Sequence, residues 1–523
     1  MSSYERSRPP RYSQRDRPPA RRGAGGPLFR LIVLLLAAVA VVAVLVVVFT
    51  GGDAKQDDPD AGGVPLSQRL VPGSAAGEGV DPLRYTPARR ADYEARAAAG
   101  LAHPLYALSP GGAVATAERV AALRPEIEEA VAGTDISADD LEGMVYLESG
   151  GRPDALSSND LSGAVGLTQI LAQTATDLLG MKVDVKQSTA LTKRIRKGGR
   201  KAAARERLRA QVDERFDAKK SLAATVKYLE LAEDKLGTEE LAVVSYHMGI
   251  GNLQTAQAKY GSTEVPYAQL YFGSTPLDHA AAYAFLASLG DSSSTYLWRV
   301  RAAQSIMRLH RDDPAELERL QTLQTNKNSG EEVLHPKADT TVFTSGDEIR
   351  EARDAGALDE LTAARLRPDG LRIDPAMGVL APKLDEPKRL FRALTPEALA
   401  TLLYLGAGVQ AISKAGPLTV TSSVRDTAYQ DLLVASNPEA TQAYSLHTTG
   451  NAMDLSRTYV STAQAQAMQF MLDRLSALDM IAWVREPAAI HVTVGPLGKE
   501  LLGLLKPGAP TAPPIGGATA PNR

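Results

Sequence analysis

The chain has 523 residues, of which 44% are hydrophobic and 23% charged, and its net charge is -3. That length allows two to four domains, and so small a net charge gives no ground for a nucleic-acid partner. There are no cysteines, which excludes disulfides and thiolate metal sites and leaves stability to core packing.

Residues 1–26 are rich in Arg, Pro, Ser and Gly with almost nothing apolar to bury, and are expected to form a disordered basic arm. Leu31 to Phe49 is an uninterrupted apolar run of nineteen residues, enough to cross a bilayer as a helix, and it places a transmembrane helix at 27–50. Arginines at 6, 8, 11, 15, 17, 21, 22 and 30 precede the run, whereas aspartates dominate the GGDAKQDDPDAGG that follows. Positive-inside bias therefore puts the N-terminus in the cytoplasm and everything after residue 50 outside, on a single-pass anchor in the cell membrane. A cleaved signal peptide is the main competitor, but the run is long and no A-x-A site follows closely. Residues 51–90, rich in Gly, Pro and Asp, read as a flexible tether.

Helical patterning begins near Ala113 and continues through VAALRPEIEEAVA, residues 120–132. Glu148 then ends an apolar run, MVYL, and is followed by Ser149, Gly150 and Gly151, so a helix is expected to stop there. A carboxylate at such a point is half-buried beside an open turn, and desolvation raises a carboxyl pKa toward the range a general acid needs near neutral pH. The following GAVGLTQI holds Gly163 and Gly166, which allow close backbone approach, and Gln169, which offers a donor and an acceptor. An acidic residue before two glycines is by itself ordinary helix-end chemistry. The basic stretch LTKRIRKGGRKAAARERLRAQVDERFD reads as a solvated helical face, with contact to an acidic polymer as the sharper alternative. Beyond it, SLAATVKYLELAEDKL and ELAVVSYHMG repeat apolar residues at helical spacing, so the domain at 112–310 is expected to be mainly α. Its aromatics between 260 and 310 read as core in preference to sugar-stacking platforms.

In combination, E-S at 148–149, S-G-A-x-G-L-x-Q-I ending at Ile170 and the AVVSYHMGIGNL of 242–253 resemble the catalytic domain of the soluble lytic transglycosylases, relatives of goose-type lysozyme. The resemblance covers about residues 115–260. It implies Glu148 as the single catalytic acid, with Ser149, Gly166, Gln169 and Tyr246 on the substrate side, no cofactor for this domain, and peptidoglycan glycan strands as partner. Two departures are Thr168, where the family usually has Met, and His247, where it usually has Asn.

Residues 311–345 read as a second linker, with TNKNSGEE its most disordered part. The segment 346–505 is expected as a smaller α+β domain. In it, TVTSSVRDTAYQDLL alternates as a strand up to Arg425, YSLHTTGNAMDLS follows, and the end of IAWVREPAAIHVTV alternates again. Two histidines and an aspartate, His447, Asp454 and His491, look like zinc ligands together. The pattern S-x-H-x-x-G-x-A-x-D from Ser445 to Asp454, with Ser422, Arg425 and Gln430 upstream, resembles the zinc D-alanyl-D-alanine carboxypeptidases and related murein endopeptidases over about residues 385–495. This resemblance implies zinc at His447, Asp454 and His491, Arg425 as a substrate-orienting cation, and stem peptides as a further partner. Ala488 stands where those peptidases carry a catalytic Glu, and Glu486 is a substitute only if the strand is bulged. An unusual peptidase and a binding domain without catalysis are both left open. Residues 506–523 read as a disordered tail.

Taken together, the expected architecture is a transmembrane helix, a mainly α lysozyme-like domain and a smaller α+β peptidase-like domain. The expected activity is cleavage of the MurNAc-GlcNAc β-1,4 bond with a 1,6-anhydromuramoyl product. Asp154 and Asp160 keep a hydrolytic lysozyme open. A non-catalytic wall-binding scaffold and a zinc peptidase targeted by a glycan-binding domain are the rivals.

Overall fold

The computed structural model describes residues 81–328, 330–436 and 444–505. The basic arm, the apolar run at 31–49, most of the tether and the tail lie outside them. Among the described residues no helix is long and apolar enough to cross a membrane.

The first part is a bundle of helices. Helix α1 (Arg90–Gly100) leads in, and α2 (Ala138–Ser149) carries Glu148. Ser137 caps α2 by accepting from the amides of Asp139 and Asp140, whose carboxylates also suit the positive end of the helix. Gly150, at φ +60°, ends it in a left-handed turn, where the sequence places a stop. Next come the hairpin α3 (Val185–Ile195) and α4 (Ala202–Val212), α5 (Ala218–Leu236), α6 (Glu239–Met248), α7 (Tyr267–Gly273) and α8 (Tyr296–Asp312). Helices α2 and α8 pack closely because Gly143 faces α8, where an added Cβ would stand 2.9 Å from the Val300 carbonyl oxygen. The α3–α4 hairpin is the basic stretch, and Lys193, Arg194, Arg196, Lys197, Arg200 and Arg207 on it are solvent-exposed, as the solvated-face reading requires. Tyr267, Phe272, Tyr296 and Trp298 are buried, so this aromatic group is core.

The segment 311–345 is not an open linker. It carries α9 (Pro314–Thr325), started by Asp313, whose side chain accepts from the Glu316 amide, and held by buried Leu317. The short α10 (Glu331–Leu334) follows. His335 then meets the Val494 carbonyl at 2.6 Å through Nε2, and the Tyr444 hydroxyl donates to the His335 carbonyl at 3.1 Å. Helix formation with a buried face accounts for the difference, since a capped amphipathic turn packs where a Gly- or Ser-rich tether would not. The end of the expected tether is also fixed, because the Tyr404 hydroxyl donates to Asp81 Oδ1 at 2.9 Å.

The α+β part has strands β1 (Asp359–Glu360), β2 (Leu371–Ile373), β3 (Ala393–Leu394), β4 (Leu418–Ser422), β5 (Ala452–Ser456), β6 (Ile481–Arg485) and β7 (Ala489–Val494). Strands β1 and β3 pair alone; the main sheet runs β2-β4-β5-β7-β6, with β2 and β4 parallel and the other pairs antiparallel. Helices α11 (Pro396–Ser413) and α12 (Thr462–Ala477) supply much of this part's core. Along β5 and β7 the pleat sends Met453, Leu455, Ile490 and Val492 into the apolar core and leaves Asp454 and His491 for the other face.

Within the described residues the two parts form one compact unit. Arg474 of α12 donates to the carbonyls of Phe272 (2.9 Å), Ser274 (2.9 Å) and Tyr271 (3.3 Å) and lies over the Phe272 ring at 5.1 Å. Gly100 of α1 allows the same contact, since a Cβ there would overlap the Ser476 carbonyl oxygen at 1.9 Å.

Candidate functional site

Glu148 sits one residue before the end of α2, half-buried against α8. The Tyr296 hydroxyl donates to Glu148 Oε1 at 2.7 Å. Burial pushes the Glu148 carboxyl up to about 7, against the smaller opposing effects of the Tyr296 hydrogen bond and the Arg299 charge. The acid therefore holds its proton near neutrality while a hydroxyl and a cation stand ready to stabilise the carboxylate that proton release leaves behind. Tyr296 and Arg299 lie three apart on α8 and so share a face. His247 backs Tyr296: the rings stack at 5.2 Å, and His247 Nδ1 meets the Ser293 hydroxyl at 2.8 Å.

The glycine-containing loop is folded against this end of α2 by groups the motifs did not include. Gly166 has φ +82°, and a Cβ on it would fall 1.9 Å from the Arg215 carbonyl oxygen, so only glycine fits. The buried Arg215 guanidinium donates to the carbonyls of Leu161 (2.7 Å), Gly163 (3.0 Å) and Ile170 (3.2 Å) and pairs with Asp213 at 2.9 Å. The Tyr246 hydroxyl donates to the Thr168 carbonyl at 2.7 Å, tying α6 to the loop. Thr168 is buried, with its hydroxyl 2.8 Å from Ser221 and accepting from Thr225 at 2.9 Å.

Gln169 and Ser149 serve the local backbone. The Gln169 amide donates to the carbonyls of Gly166 at 2.7 Å and Ala155 at 3.3 Å. The Ser149 hydroxyl donates to the Val145 carbonyl and accepts from the Arg152 amide, both at 3.3 Å. Asp154 and Asp160 are exposed, and neither is among the groups that set the Glu148 pKa.

In the α+β part His447, Asp454 and His491 come together as expected, buried, with one potential ligand atom from each within 4.8 Å of the others. Asp454 and His491 are register partners across β5 and β7. Asp454 Oδ1 lies 3.1 Å from His447 Nε2 and 2.9 Å from His491 Nδ1. His447 Nδ1 is 2.8 Å from the Ser423 carbonyl, which can only accept, so that nitrogen carries the proton. Burial, with the nearby Arg425 charge, lowers His447 to about 4, leaving it neutral near pH 7. Its Nε2 lone pair then faces a carboxylate oxygen, an arrangement that a cation between them satisfies. The donor set of two imidazoles and one carboxylate suits zinc, and the residues present fit it.

The outer face of His491 meets a residue the sequence reading assigned to a linker. Glu331 Oε2 on α10 is 3.1 Å from His491 Nε2. Burial opposes charge on His491, but its bonds to Asp454 and Glu331 prevail and raise it to about 10. Burial also opposes ionisation of Asp454, yet His447 and His491 hold its carboxyl well below the usual range. Arg425 is engaged inside the protein, with Nη2 donating to Ser422 Oγ at 2.7 Å and Asp454 Oδ2 at 3.3 Å, and Nη1 to Gln430 Oε1 at 3.0 Å. The bulge that Glu486 would need is absent: β6 and β7 stay in register from Ile481 to Arg485, and the Glu486 amide closes the hairpin on the Ala489 carbonyl at 3.0 Å. Ala488 lies exposed in that turn.

Residues 199–266 match the family model described as Transglycosylase SLT domain. The match supports a lytic-transglycosylase-type, lysozyme-like domain in the helical part, with peptidoglycan glycan strands as the implied substrate. The matched segment includes Tyr246 and begins after Glu148 and the glycine-containing loop. No curated protein matches the chain.

Proposed function

We propose that the protein cleaves the MurNAc-GlcNAc bond of peptidoglycan by lytic transglycosylation, with Glu148 as the only acid and base. The carrying observation is the Glu148 carboxyl held at about 7 by burial, with the Tyr296 hydroxyl 2.7 Å away. Protonated Glu148 gives its proton to the glycosidic oxygen as the bond from the muramoyl C1 breaks. The resulting carboxylate takes the proton of the muramoyl C6 hydroxyl as that oxygen bonds C1, giving a 1,6-anhydro sugar. Glu148 ends protonated, and no water is consumed. One carboxyl is enough, in contrast to the pair used by most glycoside hydrolases. Tyr296 and Arg299 stabilise the carboxylate between the two steps, and Tyr246 fixes the loop beside it.

On the same reading, residues 31–49 anchor the chain in the membrane with both parts outside; the length of the apolar run and the arginines before it support this. The cluster of His447, Asp454 and His491 supports a metal centre in the second part, with stem peptides as its partner and either unusual hydrolysis or binding alone as its role. Zinc, when bound there, supplies Lewis acidity for amide hydrolysis. The chain's own contribution is to hold the His447 tautomer through Ser423 and to balance charge through Arg425.

The test is mass spectrometry of fragments released from purified peptidoglycan by the full chain and by Glu148→Gln. Anhydromuramyl products from the parent alone support the proposal. Reducing-end sugars mean a hydrolytic lysozyme, and no fragments from either protein mean a wall-binding scaffold.

A further inference from the structure

Glu331 reaches the metal-type cluster from a stretch that neither the catalytic resemblances nor the matched family segment covers. It is held there by its surroundings. Glu332 pairs with Lys327 at 2.6 Å on the side leading into α10, and His335 is tied to the Val494 carbonyl on the side leading out. The Thr493 hydroxyl, two residues along β7 from His491, donates to Glu331 Oε2 at 3.4 Å. A Cβ on Gly495 would stand 3.0 Å from Leu334, which shows how closely α10 lies on the end of β7.

The two histidines are held by the same logic. Each directs one ring nitrogen at Asp454 Oδ1 and the other at an acceptor: His447 Nδ1 at the Ser423 carbonyl, His491 Nε2 at Glu331. The nitrogens of an imidazole diverge, so an acceptor on the outer nitrogen holds the ring with its inner nitrogen toward the centre, where it can bind a metal once any proton on that nitrogen is released. Carboxylate or carbonyl partners of this kind set the tautomer and orientation of metal-binding histidines and raise their basicity.

We propose that Glu331 is a positioning residue that orients His491, through Nε2, to bind a divalent metal ion together with His447 and Asp454. The inference rests on the metal reading of that cluster. Glu331 stands on the far side of the His491 ring from Asp454, so it acts through His491 and is not the missing catalytic base. The segment between the two parts thereby belongs to the second site.

The experiment is zinc binding by the full chain, stripped with chelator and titrated in competition with a chromophoric chelator, for the parent and Glu331→Gln. Cobalt absorption spectra and melting temperatures of the metal-free proteins are recorded in parallel. The expected result is one zinc per parent chain and roughly 10–100-fold weaker binding by Glu331→Gln, with an altered cobalt spectrum and a folded metal-free protein. Equal affinity and identical spectra overturn the inference while leaving the metal reading intact. No zinc taken up by the parent overturns the metal reading itself and leaves His491 as a cation bridging two carboxylates. Should Glu331→Gln fail to fold, Glu331→Asp, which keeps the charge but draws it back by one methylene, decides in the same way: weaker zinc binding supports the role and equal binding removes it.

Discussion

The two candidate sites handle buried charge in opposite ways. In the helical part Glu148 is nearly alone, desolvated, with one hydroxyl and one nearby cation, and its carboxyl is raised to about 7. In the α+β part Asp454 is surrounded by His447, His491 and Arg425, and Glu331 closes the arrangement from outside. A lone buried acid keeps its proton and can give it away; an acid among cations is locked as an anion and serves to hold things in place. The contrast fits the roles proposed for them, proton transfer at Glu148 and the holding of a metal ion at His447, Asp454 and His491.

The largest effect expected from breaking this contrast is on catalysis. Glu148→Gln should lower glycan cleavage by about 10²–10⁴-fold, the usual worth of a positioned acid and base, measured as fragment release from peptidoglycan. The corresponding change at the second site should be felt as stability. Asp454→Ala leaves the buried Arg425 without its carboxylate and His491 with Glu331 alone, and is expected to cost about 3–5 kcal/mol, read in a denaturant or thermal melt of the metal-free chain.

A smaller effect of opposite sign sharpens the comparison. The folded chain keeps the Glu148 proton up to about pH 7, whereas the unfolded chain releases it near the ordinary glutamate value of 4.5. Between those values the folded state binds more protons, so stability falls as pH rises through the window. Glu148→Gln removes that loss. It should melt higher than the parent at pH 8, by roughly 1–3 kcal/mol of added stability, and the advantage should vanish at pH 4. A variant no more stable at pH 8 than at pH 4, relative to the parent, would show that Glu148 is not strained by burial. The smallest expected effect is that of Tyr246→Phe, which removes the hydroxyl held by the Thr168 carbonyl and should cost about 1 kcal/mol in the same melts.

What was legible in the sequence is what lies close together along the chain. The stop of α2 at Gly150 and the glycine demanded at 166 follow from short motifs whose geometry is local, whereas the meeting of His447, Asp454 and His491 was implied by the resemblance to the zinc peptidases. Tyr296, Arg299 and Arg215 were not legible, because each arrives by tertiary packing of a helix or turn far along the chain, and nothing in its immediate neighbours marks it. Glu331 was hidden differently. The polar TNKNSGEE has the composition of a tether, but its two acids are taken up by Lys327 and His491 once α9 and β7 are in place. The start of α9 did carry a signal in DDPAEL, an Asp before Pro with Glu two residues after it, which is the pattern of a helix N-terminus. Gln169 illustrates a limit of motif reading: the residue is where the pattern places it, but its amide is bonded to the loop's own carbonyls.

The Arg474 guanidinium, sunk among the carbonyls of Tyr271, Phe272 and Ser274, gives the junction an all-or-none character. Pulling the two parts away from each other would strand a buried cation and three acceptors at once, along with the apolar faces around Gly100. Heating should therefore melt both parts in one cooperative transition, and severing the chain anywhere from α9 to α10 should yield pieces that aggregate when expressed apart.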